Sequence, residues 1–281
     1  MDHHVHRNAR LGPSVLNFDG WYYVTPYVKR QKNDMADAEA ICEAVIRPNM
    51  HFVAIKCADQ QAVLMLHRAR DLLVRQRTML INALRAHLAE FGIVAARGAH
   101  KLRDLCGKLQ GDHLDIPDVA RVALLSLVRQ MEGLEDEIVG LDSKIQAWHR
   151  RSEVSQRLAT IPGIGVLTAT AMAATVADPS QFRSARQFAA WLGLVPRQNS
   201  SGGKDRLGRV TKMGDGYLRK LLVVGATAVL RRIRDAQTQT AEWVRRLLEK
   251  KPARLVSVAL ANKTARIVWA IMSKQEEYNP A

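Results

Sequence analysis

Apolar residues recur along most of this chain at the three- and four-residue spacing of an α-helix, and between residues 124 and 148 the pattern becomes strict. An alternating three-four spacing holds there for more than three heptads, which predicts a coiled-coil seam. A second helix is predicted over residues 59–91, with leucines on one face and arginines between them. The seam would pack either on this helix of the same chain or on another subunit, and spacing alone does not choose. Its positions are Leu124, Leu127, Val128, Met131, Leu134, Ile138, Leu141, Ile145 and Trp148.

The sequence on either side of this segment predicts further regions. Aromatic and β-branched residues over 21–24 suit a short strand, and a helix is predicted from Asn33, a good N-cap, to Ile46, before Pro48. From Ser152 onward, Gly, Pro and small residues separate short helices. The predicted organisation is an irregular tail over 1–20, a short region over 21–58, long coiled-coil helices over 59–152, and a compact helical domain over 153–275. The fold class expected is mainly α.

The charge of the chain indicates which class of partner it binds. Its 281 residues include 42 Lys and Arg against 27 Asp and Glu, which gives a formal net charge of +15. An excess of this size favours DNA or RNA as the partner. No membrane partner is expected, because the longest apolar runs noted in the sequence, Val166–Ala177 and Leu221–Leu230, are shorter than the roughly 20 residues that a spanning helix needs. Three distant cysteines and the absence of a secretion signal favour an intracellular protein.

The segment Ile161-Pro162-Gly163-Ile164-Gly165 is the first candidate binding motif. This order is typical of the turn in a helix-hairpin-helix element, where Gly163 and Gly165 let backbone amides at the start of the next helix point at a phosphate. Such a contact recognises the nucleic-acid backbone and not its sequence. The alternative is a tight turn between two helices that binds nothing.

A loop after residue 192 is the second candidate. It places Ser200 and Ser201 next to glycines and among five cations, and a serine in such surroundings would be able to attack a phosphodiester while the cations stabilise the charged transition state. The alternative is a flexible basic loop that holds nucleic acid, with its serines as turn residues. The cations are Arg197, Lys204, Arg206, Arg209 and Lys212.

Asp34 and Asp37 form the third candidate site. They lie three residues apart at the start of a predicted helix, so both carboxylates project from one face. Mg²⁺ binds such oxygen ligands together with substrate phosphates. The alternative is that the two acids only complement the positive end of the helix dipole.

These three motifs occur in an order that resembles the insertion-sequence transposases of the IS110 type, which are related to the Piv and MooV DNA invertases. The resemblance runs from about Trp21 to the C-terminus. It rests on the Lys-Asn-Asp-x-x-Asp-Ala-Glu-Ala helix, the Ile-Pro-Gly-Ile-Gly turn and the Gly-Leu-x-Pro-Arg-x-x-Ser-Ser-Gly loop, with a coiled coil between the first two.

The resemblance implies a mechanism and a set of partners. In that family a RuvC-like domain binds Mg²⁺ through an Asp-Glu-Asp-Asp set, and a C-terminal helical domain carries a nucleophilic serine. Asp34 and Asp37 match the last two acids, and Ser201 matches the serine better than Ser200 does. The family further implies a dimer or tetramer, DNA at the element ends and the target, a structured guide RNA, and a place in the bacterial cytoplasm at the nucleoid.

The chain departs from the family pattern before residue 21. The strands that would carry the first Asp and the Glu are not recognisable there, and neither Asp2 nor Asp19 is assigned to those positions. We therefore expect residues 21–58 to be the remnant of a RuvC-like domain, and the chain alone to cleave DNA feebly or not at all. The leading interpretation is an incomplete transposase that acts through a serine. The alternative is a non-catalytic nucleic-acid-binding protein that oligomerises with, or inhibits, the complete enzyme.

Overall fold

A computed structural model describes residues 34–46, 54–94, 99–111, 114–200, 204, 206–233 and 237–279. This part of the chain is mainly helical, as expected, with one 3-10 turn over Pro179–Gln181 and two short strands, β1 (Pro196–Gln198) and β2 (Leu207–Val210). The strand predicted near residue 21 lies outside it. The helices are α1 (Asp34–Ile46), α2 (Ala58–Glu90), α3 (Ala99–Gln110), α4 (Asp118–Arg151), α5 (Glu153–Ala159), α6 (Val166–Thr175), α7 (Ala185–Trp191), α8 (Gly216–Arg232), α9 (Gln239–Leu248) and α10 (Ala253–Lys274).

Two compact units divide the chain. One unit is Ala62–Arg151, and the other combines the residues up to Gln61 with those from Ser152 onward. The predicted helices at 33–46, 59–91 and 124–148 are all present, as α1, α2 and the central part of α4. Local sequence was sufficient for these three, since α2 and α4 carry long helical patterns and α1 is marked by its N-cap and by the proline after it.

Within the Ala62–Arg151 unit, α2 and α4 pack against each other in opposite directions. Arg70 pairs with Asp142, and seven residues later Arg77 pairs with Glu135, seven residues earlier on α4. The seam predicted on α4 therefore lies against α2 of the same chain. The buried residues that form this core are Leu84, Leu88, Cys106, Leu109, Ile116, Leu124, Val128 and Met131.

A buried histidine lies in the same interface. His67 on α2 is 1% exposed, close to the ion pair of Arg70 and Asp142. Burial, assisted by the positive Arg70 and opposed by Asp142, lowers the pKa of His67 to about 4. The imidazole is therefore neutral at pH 7.

In the other unit, α10 is the central helix. It contacts α5, α7, α8 and α9, and its buried face includes Val256, Leu260 and Val268. Among the described residues, α10 is also the one helix long and apolar enough to cross a membrane. The sequence analysis did not include this stretch among its longest apolar runs. Length and composition of this kind are equally typical of the core helix of a globular domain, and the packing of α10 is of that type.

Candidate nucleic-acid interface

The basic loop after α7 is folded into a hairpin, which we call the arm (residues 194–212). Its strands β1 and β2 pair antiparallel, with Pro196 opposite Val210 and Gln198 opposite Leu207 and an irregularity between these pairs. Beyond them the amide of Asn199 donates to the carbonyl of Arg206 at 2.8 Å. The sequence predicts a loop here, because strands of three and four residues are too short to give a periodic signal.

Two glycines make the base of the arm narrow. Gly193 and Gly214 have φ of +69° and +82°, where glycine is strongly favoured. A Cβ on Gly193 would lie 1.9 Å from the carbonyl oxygen of Met213, and one on Gly214 would lie 1.9 Å from that of Trp191. The two ends of the arm can therefore approach this closely only because both positions lack a side chain.

Side chains from α8 and α10 fix this base. Arg219 donates from Nη1 to the carbonyl oxygens of Leu192 at 3.0 Å and Met213 at 3.2 Å, one on each side of the arm. Asn262 donates to the carbonyl of Leu194 at 3.1 Å. Asp215 caps α8 by accepting from the amides of Tyr217 and Leu218. None of these three side chains is predicted from the sequence, since no local pattern relates α8 or α10 to the arm.

The cations predicted to bind nucleic acid all lie on this arm with exposed side chains. They are Arg197, Lys204, Arg206, Arg209 and Lys212. Arg197 also donates to the carbonyl of Thr211 at 3.4 Å, which links the two sides of the hairpin. The structure therefore presents these positive charges to solvent from one anchored element.

Of the two candidate serines, Ser200 is among the described residues. The hydroxyl oxygen of Ser200 accepts from the amide of Arg206 and from Nε2 of Gln198, both at 3.1 Å, so this side chain helps to close the hairpin. Ser201 lies outside the described residues.

The turn between α5 and α6 contains the two glycines predicted to contact phosphate. Gly163 has φ of +87°, and its carbonyl oxygen would be 1.9 Å from a Cβ placed on Gly225 of α8. The need for glycine at 163 is therefore explained by the turn and by its packing on α8. Gly165 is exposed and precedes α6 without a side-chain cap, so the first amides of α6 begin beside a residue with open space around it.

The acidic pair is on α1, where Asp34 is the first residue and Asp37 follows one turn later. The side chains of both acids lie outside the described residues. Among the described residues, no group of three or more His, Cys, Asp or Glu side chains is arranged to hold a metal ion.

A groove of about 710 Å³ runs beside the arm. Leu194, Pro196 and Val210 of the arm form one wall, and Trp243 and α10 form the other. The charged side chains that line it are Lys263, whose ammonium lies 4.9 Å from the ring centre of Trp243, and Arg266. Most of the other residues that line the groove are apolar.

Comparison with known proteins supplies the context for this geometry. Residues 155–241, which include most of α5, the turn, α6 and the arm, match the transposase family IS116/IS110/IS902. Residues 21–93 match a second transposase model, that of the DEDD transposases of IS110. The transposase of insertion sequence element IS1328 from Yersinia enterocolitica is 42% identical over 90% of this chain and 75% of its own length. This chain belongs to the IS110/IS116 family of insertion-sequence transposases.

Two further comparisons qualify this membership. A Sinorhizobium fredii transposase is 47% identical over 91% of this chain, which spans 66% of that relative's length. The pilin gene-inverting protein of Moraxella bovis is 30% identical over 51% of this chain. The family resemblance is thus confirmed, whereas the relation to DNA invertases is supported only over half of the chain.

Proposed function

We propose that this IS110/IS116-family chain carries Ser201 as the nucleophile with which a transposase of the family cuts and rejoins DNA strands once its acidic set is complete. The observation that carries the proposal is the arm, which carries Ser200 and five exposed cations on a base fixed by Arg219 and Asn262. Ser201 follows Ser200 in the sequence. A serine hydroxyl is a weak nucleophile, and positive charge held near the phosphate lowers the barrier to its attack. A rigid base matters because misplaced reacting groups lose most of their rate advantage.

The proposed reaction is a transesterification. The Ser201 oxygen bonds to phosphorus, the bond from phosphorus to one deoxyribose oxygen breaks, and that oxygen takes a proton and leaves as a hydroxyl. A DNA hydroxyl then attacks the phosphoserine, which restores the serine and a phosphodiester. One ester replaces another in each step, so no nucleotide cofactor is needed.

Ser201 is favoured over Ser200 by the contacts of Ser200. The oxygen of Ser200 already accepts two hydrogen bonds that close the hairpin. Using it as the nucleophile would disrupt the contacts that close the hairpin, whereas Ser201 is the residue that matches the family serine better.

Asp34 and Asp37 are proposed ligands of Mg²⁺. Their positions one turn apart on α1 fit a hard cation, which takes carboxylate oxygens together with phosphate. Bound there, the ion would supply charge stabilisation at the reacting phosphate and help to deprotonate the nucleophile. Two ligands are fewer than such a site requires, so further acids of the RuvC-like Asp-Glu-Asp-Asp set would have to complete it.

The other proposed partners are the DNA backbone, a guide RNA and further copies of the chain. The proposed contact of Gly163–Gly165 with the phosphate backbone would act as a helix-hairpin-helix element that holds DNA without reading its sequence. A structured guide RNA and assembly into a dimer or tetramer are proposed from the family resemblance, with the net charge of +15 in favour of nucleic-acid partners.

The decisive experiment is to trap a covalent protein–DNA adduct. A nicked suicide substrate traps the phosphoserine when Mg²⁺, guide RNA and the complete acidic set are supplied. We expect the adduct to disappear in Ser201→Ala, to persist in Ser200→Ala, and to weaken in Asp34→Ala or Asp37→Ala. An adduct that persists in Ser201→Ala would show that another residue is the nucleophile.

The second candidate is a non-catalytic DNA- or RNA-binding protein that inhibits a complete transposase through mixed oligomers. It is favoured by the exposed cations of the arm, which can hold a phosphate backbone without any covalent step. It predicts that this chain binds DNA without forming an adduct, and that adding it to an active relative lowers adduct yield.

A further inference from the structure

The residues that follow α10 fold back onto α5. The helix is closed by Gln275, whose amide donates to the carbonyl of Ile271 at 2.8 Å. Gln275 has φ of +59°, an uncommon value for a residue other than glycine, and the chain cannot continue as a helix from it. The segment over residues 275–279, which we call the strap, therefore leaves the axis of α10.

Two hydrogen bonds fasten the strap. Nη1 of Arg157 donates to the carbonyl of Gln275 at 3.4 Å, and the amide of Tyr278 donates to Oγ1 of Thr160 at 3.3 Å. Thr160 is the C-cap of α5 and directly precedes the Ile161–Gly165 turn. Both bonds are exposed to water and close to the upper distance limit of a hydrogen bond, so the strap is held weakly.

The strap also reaches the turn itself. Tyr278 is half-buried and lines a cavity of about 480 Å³ together with the Ile161–Gly163 part of the turn. The charged side chains that line this cavity are Arg232 and Lys263. The strap thus lies against the turn that is proposed to contact a phosphate, at the edge of a cavity lined by two cations.

Acidic side chains are carried to this place by the strap. Glu276 and Glu277 are exposed and lie between its two points of attachment. A carboxylate this close in sequence to the contacts with Arg157 and Thr160 repels a phosphate that approaches the turn. Nucleic acid at the turn and a docked strap therefore oppose each other, by charge and by occupation of the same surface.

We infer that the strap is an autoinhibitory element that competes with nucleic acid for the α5–α6 turn. When docked, it occupies Arg157 and Thr160 and holds two carboxylates beside the turn. When released, it leaves this surface open to a phosphate backbone. The inference rests on the proposed phosphate contact of the turn and adds its regulation. Because only the released state binds there, the observed affinity is the intrinsic affinity multiplied by the released fraction.

The first test locks the strap in place. Thr160→Cys with Tyr278→Cys sets two thiols where Oγ1 of Thr160 and the amide nitrogen of Tyr278 are 3.3 Å apart, close enough for a disulfide. The exposed Cys42 and Cys57 are replaced by Ser in every variant. Oxidation should lower the affinity for a short duplex DNA about tenfold in low salt, and reduction should restore it. Fluorescence anisotropy measures the affinity, and Thr160→Cys alone should not respond to the oxidant.

The same double variant measures mutual exclusion. Saturating duplex DNA should slow the formation of the disulfide about tenfold, because DNA stabilises the released state. Raising the salt to about 0.5 M releases the DNA and should return the rate to its DNA-free value. This recovery separates displacement of the strap from any effect of DNA on the oxidant.

The role of the carboxylates is measured with the strap otherwise unchanged. Glu276→Gln with Glu277→Gln should raise the affinity for duplex DNA about fivefold in low salt, since both the repulsion of phosphate and the docked state are weakened. Asp136→Asn with Glu137→Gln is the matched control, because these two acids are also adjacent and exposed, on α4. It should raise the affinity less than half as much.

Three results would overturn the inference: equal DNA affinity of the oxidised and reduced double variant, a rate of disulfide formation that DNA leaves unchanged, or equal gains from the two acidic pairs. Failure of the proposed phosphate contact is a different result. In that case Gly165→Asp and Gly165→Asn, which differ by one charge at the turn, bind DNA equally, whereas failure of the strap alone leaves them unequal. The Ser201 adduct is independent of both.

Discussion

Gly165 offers a way to separate helix stability from phosphate binding at one residue. It precedes α6 with φ of −88° and has open space where a Cβ would be, so other residues fit there. Asn and Asp are both good N-caps, but only Asp adds a negative charge next to the proposed phosphate contact.

We predict that Gly165→Asn and Gly165→Asp leave the thermal stability unchanged or slightly raised, since capping relative to Gly is worth only a few tenths of a kcal/mol. The Asp variant should bind duplex DNA about tenfold more weakly than the Asn variant in low salt, because its charge repels the phosphate. Fluorescence anisotropy with labelled DNA gives both affinities. Equal affinities would leave the α5–α6 turn as a packing element only.

His67 makes a pH-dependent contribution to the stability of its unit. Its folded-state pKa of about 4 is below the unfolded value of 6.5, so the folded state resists protonation. The stabilisation is fully present above pH 6.5 and is lost as pH falls from 6.5 toward 4. At most it amounts to on the order of 3 kcal/mol.

We therefore predict that the Ala62–Arg151 unit unfolds at lower temperature at pH 5 than at pH 7. The difference in unfolding temperature between pH 7 and pH 5 should become smaller in His67→Gln, because glutamine is not protonated in this range. His149, whose pKa burial also lowers, is the comparison: it is only half-buried, and His149→Gln should change the drop less. Calorimetry at both pH values measures the unfolding temperatures. If the difference between them is unchanged in His67→Gln, the loss of stability at pH 5 comes from carboxylates instead.

At the scale of elements, α4 stabilises the chain by packing on α2. Ile138 is 5% exposed on the α4 seam, between the levels of the Arg77–Glu135 and Arg70–Asp142 pairs. A carboxylate at that position would be buried without a partner, which is costly.

We predict that Ile138→Asp destabilises the Ala62–Arg151 unit by roughly 3 kcal/mol or more. Amide exchange in α2 and α4 should accelerate together, because each helix buries the apolar face of the other. Val139→Asp, next in sequence and exposed, should change exchange little. If Ile138→Asp instead dissociated a dimer and left exchange within the chain unchanged, the seam would belong to a subunit interface.

At the scale of the whole molecule, the net charge of +15 should make nucleic-acid binding strongly dependent on salt. The arm supplies cations that contact phosphate directly in the proposed function. Arg206 and Arg209 are exposed on the arm, whereas Arg129 and Lys144 are exposed on α4 and give a matched pair elsewhere.

We predict that Arg206→Gln with Arg209→Gln lowers the slope of log affinity against log salt by about 2 for duplex DNA, since each phosphate contact releases close to one counterion. Arg129→Gln with Lys144→Gln should change the slope by less than half as much. Filter binding over a salt series measures both slopes. Equal changes for the two pairs would mean that charge acts over the whole surface and not through the arm.

The sequence by itself determined three of the helices and the family, and its charge predicted a nucleic-acid partner. Helical periodicity and helix-end signals are local properties, so α2 and α4 followed from residue spacing, and α1 followed from its N-cap and the proline after it. The family followed from the order of three short motifs, and it is confirmed by the matches at 21–93 and 155–241. Ser201, Asp34 and Asp37 stay predictions, because their side chains lie outside the described residues.

Only the tertiary structure decided which surfaces meet. The α4 seam could have faced another subunit, and its burial against Leu84 and Leu88 shows that it closes within the chain. Arg219 and Asn262 bond to backbone carbonyls at the base of the arm that are distant in sequence, so no local pattern predicted these contacts. Glycine at 163 suggested a phosphate contact, yet its close approach to α8 gives it a packing role as well. In each case the deciding contact is long-range, and a one-dimensional pattern specifies a face of a helix but not its partner.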